Sequence, residues 1–172
     1  IKVQNTDEDY DPQSGPVTRG SAECPHCGVV TESDEVREKI KDGEFEYSVY
    51  GVNYEDGQGE WKFRAGAEVD MRGMQKASER VESDFGMMDF LSDPIPPGQK
   101  TDEPRNFGMT EWRDILTPRQ LVSHYEYLQA YEKFKPEIKK EYEDKKSDAV
   151  LTLLALASSR ALSFNTRLSQ WY

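Results

Sequence analysis

Apolar and polar positions change rhythm several times along this chain, and each change predicts an element. Residues 1–20 are polar and turn-rich, which predicts a loop or a weak hairpin. In "SDEVREKIKD" (33–42), Val36 and Ile40 lie one turn apart behind Ser33 or Asp34 as N-cap, so a short helix is predicted. "EFEYSVYGVNYE" and "EWKFRA" alternate apolar with polar and are rich in Tyr, Phe, Trp and Val. They are joined by "DGQGE" with its Asp56-Gly57 pair, which predicts a β-hairpin. Ala67, Met71, Met74, Ala77, Val81 and Phe85 then recur at helical spacing, giving an amphipathic helix over 67–85 with Gly73 as its weak point.

"DFLSDPIPPGQKTDEPRN" carries four prolines and predicts an irregular connector. "TPRQL" opens a helix: Thr117 as N-cap, Pro118 at the first helical position, and Gln120 completing a capping box. Leu121, Tyr125, Leu128 and Tyr131 or Phe134 form its apolar stripe. A last long helix is predicted after Pro136. Its first half is highly charged; from Ala149 to Leu162 it is apolar nearly all round, the pattern of a buried helix, which here calls for cover from outside the chain. The expected fold is α+β. A β-rich part with hairpin and amphipathic helix (1–92) precedes a Pro-rich connector (93–106) and a helical part with two long helices (107–172).

Composition narrows what such a chain does. The net charge is −11 over 172 residues, which argues against nucleic-acid binding by the whole surface, because phosphate contacts need Lys and Arg. The charge is uneven. Residues 1–102 hold 11 Lys and Arg against 23 Asp and Glu, whereas residues 103–172 hold 11 against 10, so any phosphate contact belongs to the second part. No run reaches the ~18 apolar residues of a membrane span; the best, "AVLTLLALASSRALSF", is interrupted by Ser158, Ser159 and Arg160. Two cysteines three residues apart do not make a disulfide framework, so a reducing cytoplasm is expected. The ends, Ile1 and "LSQWY", read as those of a section of a longer protein.

The first stretch that looks like chemistry is "SAECPHCGVV". Cys24 and Cys27 stand at C-x-x-C spacing with Gly28 behind them, half of a tetrahedral zinc site. His26 leaves the same tight turn and is badly placed to complete it, and His124 fits a packed or surface position on the capped helix better than a ligand. A redox C-x-x-C is the rival, but that motif expects a helix to start at the first cysteine. An inert pair is the third reading. No G-x-S-x-G, H-E-x-x-H or glycine-rich phosphate loop is present. In "DPIPPG", Asp93 is followed by one proline and then Ile95, so it reads as a rigid connector.

"NFGMTEWRDILTPRQL" admits two readings. One is a well-capped helix under an aromatic lid. The other is a surface on which Arg113 and Arg119 meet phosphates and Gln120 faces a base edge. "SFNTRLSQWY" raises the same choice: Asn165 and Arg167 are recognition groups, or they finish the helix while Trp171 packs down.

"GPVTRGSAECPHCG", "YSVYGV", "KFRAGAEVDMRGMQKA", "IPPG", "FGMTEWRDILTPRQL" and "LALASSRALSFNTRLSQW" occur in an order that resembles the middle section of the large adenine-specific DNA methylases containing a zinc ribbon. Some of these accompany phage-defence genes. The resemblance covers roughly residues 16–171; Ile115 stands where the family pattern expects Leu and Gln170 where it expects a basic residue. It implies that the S-adenosylmethionine-binding glycine motif lies before this section and the D-P-P-Y-type catalytic motif after it. The chain would then be an insertion between two catalytic halves that positions DNA or braces those halves. Cys24 and Cys27 would be the second zinc knuckle, the first lying upstream. DNA and the flanking catalytic halves are the implied partners, and the section alone is expected neither to bind the methyl donor nor to methylate. The alternative is a zinc-ribbon module that recognises a partner protein.

Overall fold

The computed structural model describes residues 15–18, 20–49 and 51–168. The fold is α+β, with small antiparallel sheets followed by helices. β1 (Val17–Thr18), β2 (Ser21–Glu23) and β3 (Val30–Thr31) form a sheet in that order, and β4 (Gly51–Glu55) pairs with β5 (Trp61–Ala65) as a hairpin. The helices are α1 (Ser33–Lys41), α2 (Glu68–Ser83), α3 (Phe85–Asp89), α4 (Asp102–Asn106), α5 (Pro118–Glu141) and α6 (Asp144–Phe164), with a 3-10 turn at Trp112–Ile115. The described residues fall into two compact units that interleave along the chain. Those up to Arg72 group with Pro97–Gly108; Gly73–Pro96 group with those from Met109 onward.

In the first unit, the β4–β5 hairpin forms from the last five residues of the first alternating segment and from the second, with Glu55 opposite Trp61 and Asn53 opposite Phe63, while residues 44–49 belong to no strand. Its turn is not the expected Asp56-Gly57 step. The left-handed residue is Gly59 (φ +84°), and the Asp56 carboxylate organises the loop by accepting from the backbone N–H of Gln58 (2.8 Å) and Glu60 (3.0 Å). Lys62, bonded to the same carboxylate, together with those N–H groups holds the Asp56 carboxyl below its ordinary range. Arg64 on β5 reaches both oxygens of Asp70 at the start of α2 (2.6 and 2.8 Å), which raises the guanidinium still further above its ordinary value. α1 departs from expectation at its start: Glu32 takes the cap position without a side-chain cap bond, and its carboxylate accepts instead from the Ser21 hydroxyl (3.2 Å). Among the described residues, every fully buried apolar side chain lies outside this unit.

The second unit owns the core. Val81 of α2, Met87 of α3, Leu116 after the 3-10 turn and Leu121 of α5 are buried together, with Phe90, Ile115, Val122, Tyr125 and Leu162 packed against them. The start of α5 is as predicted. Thr117 Oγ1 accepts from the Gln120 N–H (3.4 Å) and Gln120 Oε1 accepts from the Thr117 N–H (2.8 Å), with Pro118 just inside. The Pro-rich connector is not wholly irregular, because Pro104 sits in the first turn of α4, where a missing N–H costs no hydrogen bond.

One expectation about the last helices is corrected. α5 runs through Pro136 to Glu141, and the break falls at Tyr142 and Glu143, where the backbone becomes extended. An interior proline costs ~3 kcal/mol in an isolated helix. Here α6 runs alongside: Phe134 and Ile138 line one apolar pocket with Leu154 of α6, and the Tyr127 hydroxyl donates to the Leu154 carbonyl (2.7 Å). α6 buries only Ser147 and Leu151, whereas Leu153 and Leu156 remain 67% and 60% exposed, so its outward face, for which the sequence calls for cover from outside the chain, is bare.

Candidate functional site

Cys24 and Cys27 stand in the turn that joins β2 to β3. The Cys24 N–H donates to the Val29 carbonyl (2.9 Å), extending the β2–β3 ladder into the turn. The Gly28 N–H donates back to the Cys24 carbonyl (2.8 Å), and Gly28 takes the left-handed conformation (φ +71°) that closes so tight a loop without steric cost. This geometry turns backbone N–H groups onto the first sulfur. The Cys24 thiol is held below its ordinary value, first by the His26 N–H, then by the Cys27 N–H and thiol, with desolvation opposing. Both cysteines are free thiols; Cys24 is half-buried and Cys27 exposed.

That arrangement suits a metal knuckle. The residue after the turn enters β3, and α1 begins only at Ser33, so the thiolates do not sit at a helix N-terminus as the redox motif requires. Among the described residues, no three His, Cys, Asp or Glu side chains come together to hold an ion. His26 is exposed, and His124 is 7% exposed on α5, where its Nε2 lies 3.4 Å from both the carbonyl and the side-chain amide of Asn165. What the turn offers is two thiols on one tight loop, the first half-buried and the second exposed.

The residues named for nucleic-acid contact are dispersed in role. The Gln120 amide oxygen is engaged in the capping box. The Arg113 guanidinium donates to the Met88 carbonyl, and its backbone N–H to the Leu91 carbonyl (2.9 Å). Leu91 itself carries a positive φ of 58°, and these bonds help hold it. Asn165 packs with His124, and the Arg167 N–H donates to the Ile115 carbonyl (2.8 Å). Arg119 is exposed, and its side chain has no hydrogen-bond or ion-pair partner among the described residues. Trp171 lies outside the described residues.

Sequence reasoning missed the flank of the α5–α6 hairpin. A groove of about 600 Å3 there is lined by Tyr131, Lys135 and Lys139 of α5 and by Asp148, Leu151 and Leu156 of α6. Ending the helix before Pro136 put Lys135 and Lys139 on different elements and hid it. The signal was available in the 3.6-residue spacing of Tyr131, Lys135 and Lys139, which continues unbroken across Pro136. No family model matches the chain, and no curated protein or solved structure matches it.

Proposed function

We propose that this chain is a non-catalytic section of an S-adenosylmethionine-dependent DNA adenine-N6 methyltransferase, in which a zinc-held first unit and a helical second unit brace the flanking catalytic halves. The observation that carries the metal part is the pairing of a preorganised thiolate turn with a unit that buries no apolar side chain fully among its described residues. A unit with so little core needs another source of folding free energy, and a structural zinc supplies it on binding. Cys24 and Cys27 are the two ligands this section contributes; the resemblance assigns the other two to an upstream knuckle.

Bracing is favoured over DNA reading by the engagement of Gln120, Arg113 and Asn165 within their own unit. Arg119 is the side chain left to meet a phosphate. The interaction-module reading shares the zinc knuckle, and the bare outward face of α6 favours it.

Zinc titration of the metal-free chain tests the half-site. Saturation is expected at one ion per two chains, with loss of binding in Cys24→Ser. One tight ion per chain, with His124 as a ligand, refutes it. Methyl transfer to duplex DNA, or saturable S-adenosylmethionine binding by this chain, refutes the non-catalytic assignment. Salt-dependent DNA affinity that falls in Arg119→Ala replaces bracing with DNA positioning.

A further inference from the structure

We infer that the α5–α6 hairpin pairs with the same hairpin of a second copy, forming a four-helix bundle around a two-fold axis. The surface concerned has a groove beside a ridge. The groove floor is Leu151, Ala155 and the Tyr131 ring; the ridge is Leu156, 60% exposed at the groove edge, with Leu153 beside it at 67%. An isologous interface needs a patch that fits its own copy, and a ridge next to a groove meets that need, one copy's Leu156 entering the other's groove.

Charge selects this occupant over another protein. Lys139 and Asp148 both line the groove, on opposite helices, and neither has an ion-pair partner among the described residues. Lys135 on the same wall already meets Glu132 at 3.4 Å and lies over the Tyr131 ring. A patch that holds one unpaired cation and one unpaired anion complements itself under a two-fold: Lys139 meets Asp148 of the copy, and the reverse pair forms by symmetry. A partner of single-signed charge satisfies only one of the two. The hairpin tip supports the same choice. Residues 132–148 contain six Lys and six Asp or Glu, so this segment is neutral in a chain of net charge −11. Two copies meeting here avoid the repulsion that their acidic first parts impose elsewhere. Association also covers the apolar outward face of α6, which a lone chain leaves in water.

The test is sedimentation equilibrium of the full chain with a chelator present, so that a shared zinc contributes nothing. A concentration-dependent dimer is expected. Leu156→Glu abolishes it, while far-UV circular dichroism is unchanged because the side chain is exposed. Lys139→Glu and Asp148→Lys each weaken the dimer by more than about tenfold, because either one turns both symmetry-related charge pairs repulsive. The double variant restores it, since the exchanged charges again meet across the two-fold. A monomer throughout the micromolar range overturns the inference. So does a dimer indifferent to Leu156→Glu, and so does a double variant no better than the single ones.

Discussion

Replacing Gln120 separates its two possible roles, helix cap and base reader. In the structure its Oε1 accepts from the Thr117 N–H at 2.8 Å, while the reciprocal bond, Gln120 N–H to Thr117 Oγ1, is longer at 3.4 Å. Gln120→Ala removes only the shorter bond and leaves a half-buried N–H without its side-chain acceptor. The cost of such a lost bond is ~1 kcal/mol. Alanine's slightly better helix propensity returns a few tenths of a kcal/mol at most. The expected loss is therefore ~0.5–1 kcal/mol, and with a urea slope of ~2 kcal/mol/M the midpoint falls by ~0.3–0.5 M. Gln120→Glu keeps the acceptor oxygen and adds a negative charge at a helix N-terminus, so stability is unchanged or rises by up to ~0.5 kcal/mol. Urea unfolding followed by far-UV circular dichroism reads all of this. In a cycle with Thr117→Ala, coupling of ~0.5–1 kcal/mol is expected, because the two side chains form one unit. An unmoved midpoint in Gln120→Ala refutes the capping role, and so does a Gln120→Glu variant as damaged as Gln120→Ala. If Gln120→Ala leaves stability intact and lowers affinity for DNA, Gln120 is a reader after all.

Met87 is fully buried against Val81, Leu116 and Leu121, so Met87→Ala should cost ~2–4 kcal/mol by thermal or urea unfolding, three buried heavy atoms plus the residual cavity; a loss below ~1 kcal/mol would mean the second unit has no fixed core. The sign of the Cys24 shift gives a pH prediction: a lowered thiol pKa makes the thiolate persist below the ordinary value, and the associated stability is full above that value and disappears as pH falls through the lowered one. Alkylation at Cys24, mapped by mass spectrometry across pH, should accordingly reach its midpoint below that of a free cysteine, and a midpoint at or above it contradicts the backbone N–H geometry. At the hairpin loop, Asp56→Asn removes the charge that Lys62 meets but keeps an acceptor oxygen for Gln58 and Glu60, so the β4–β5 exchange protection should fall less than in Asp56→Ala. Equal loss in the two variants would assign the loop's order to something other than those backbone bonds.

Local chemistry was legible in the sequence because it depends on neighbours a few residues apart. Thr117, Pro118 and Gln120 announce a helix start through bonds that close within one turn. Cys24, Cys27 and Gly28 announce a tight turn for the same reason, and the alternation on either side of residues 56–60 announces a hairpin. Even there, which residue takes the left-handed position was not readable: Asp56-Gly57 is the stronger turn pair, yet the Asp56 carboxylate draws in Gln58 and Glu60 and leaves the positive φ to Gly59. The tertiary structure alone decided everything that depends on what lies across a helix. α5 continues through Pro136 beside α6, where Phe134, Ile138 and Leu154 line one apolar pocket, a juxtaposition that a periodicity cannot see. Gln120, Arg113 and Asn165 had the composition of a nucleic-acid surface, and only the tertiary structure shows that each also bonds within its own unit. The apolar run of α6 predicted burial, and the structure leaves one face open, because a two-helix hairpin can cover only the side of α6 that meets α5. Sequence carries propensity, which is a property of short segments. Burial and charge pairing are sums over the surroundings of each side chain, and those surroundings exist only once distant segments have met.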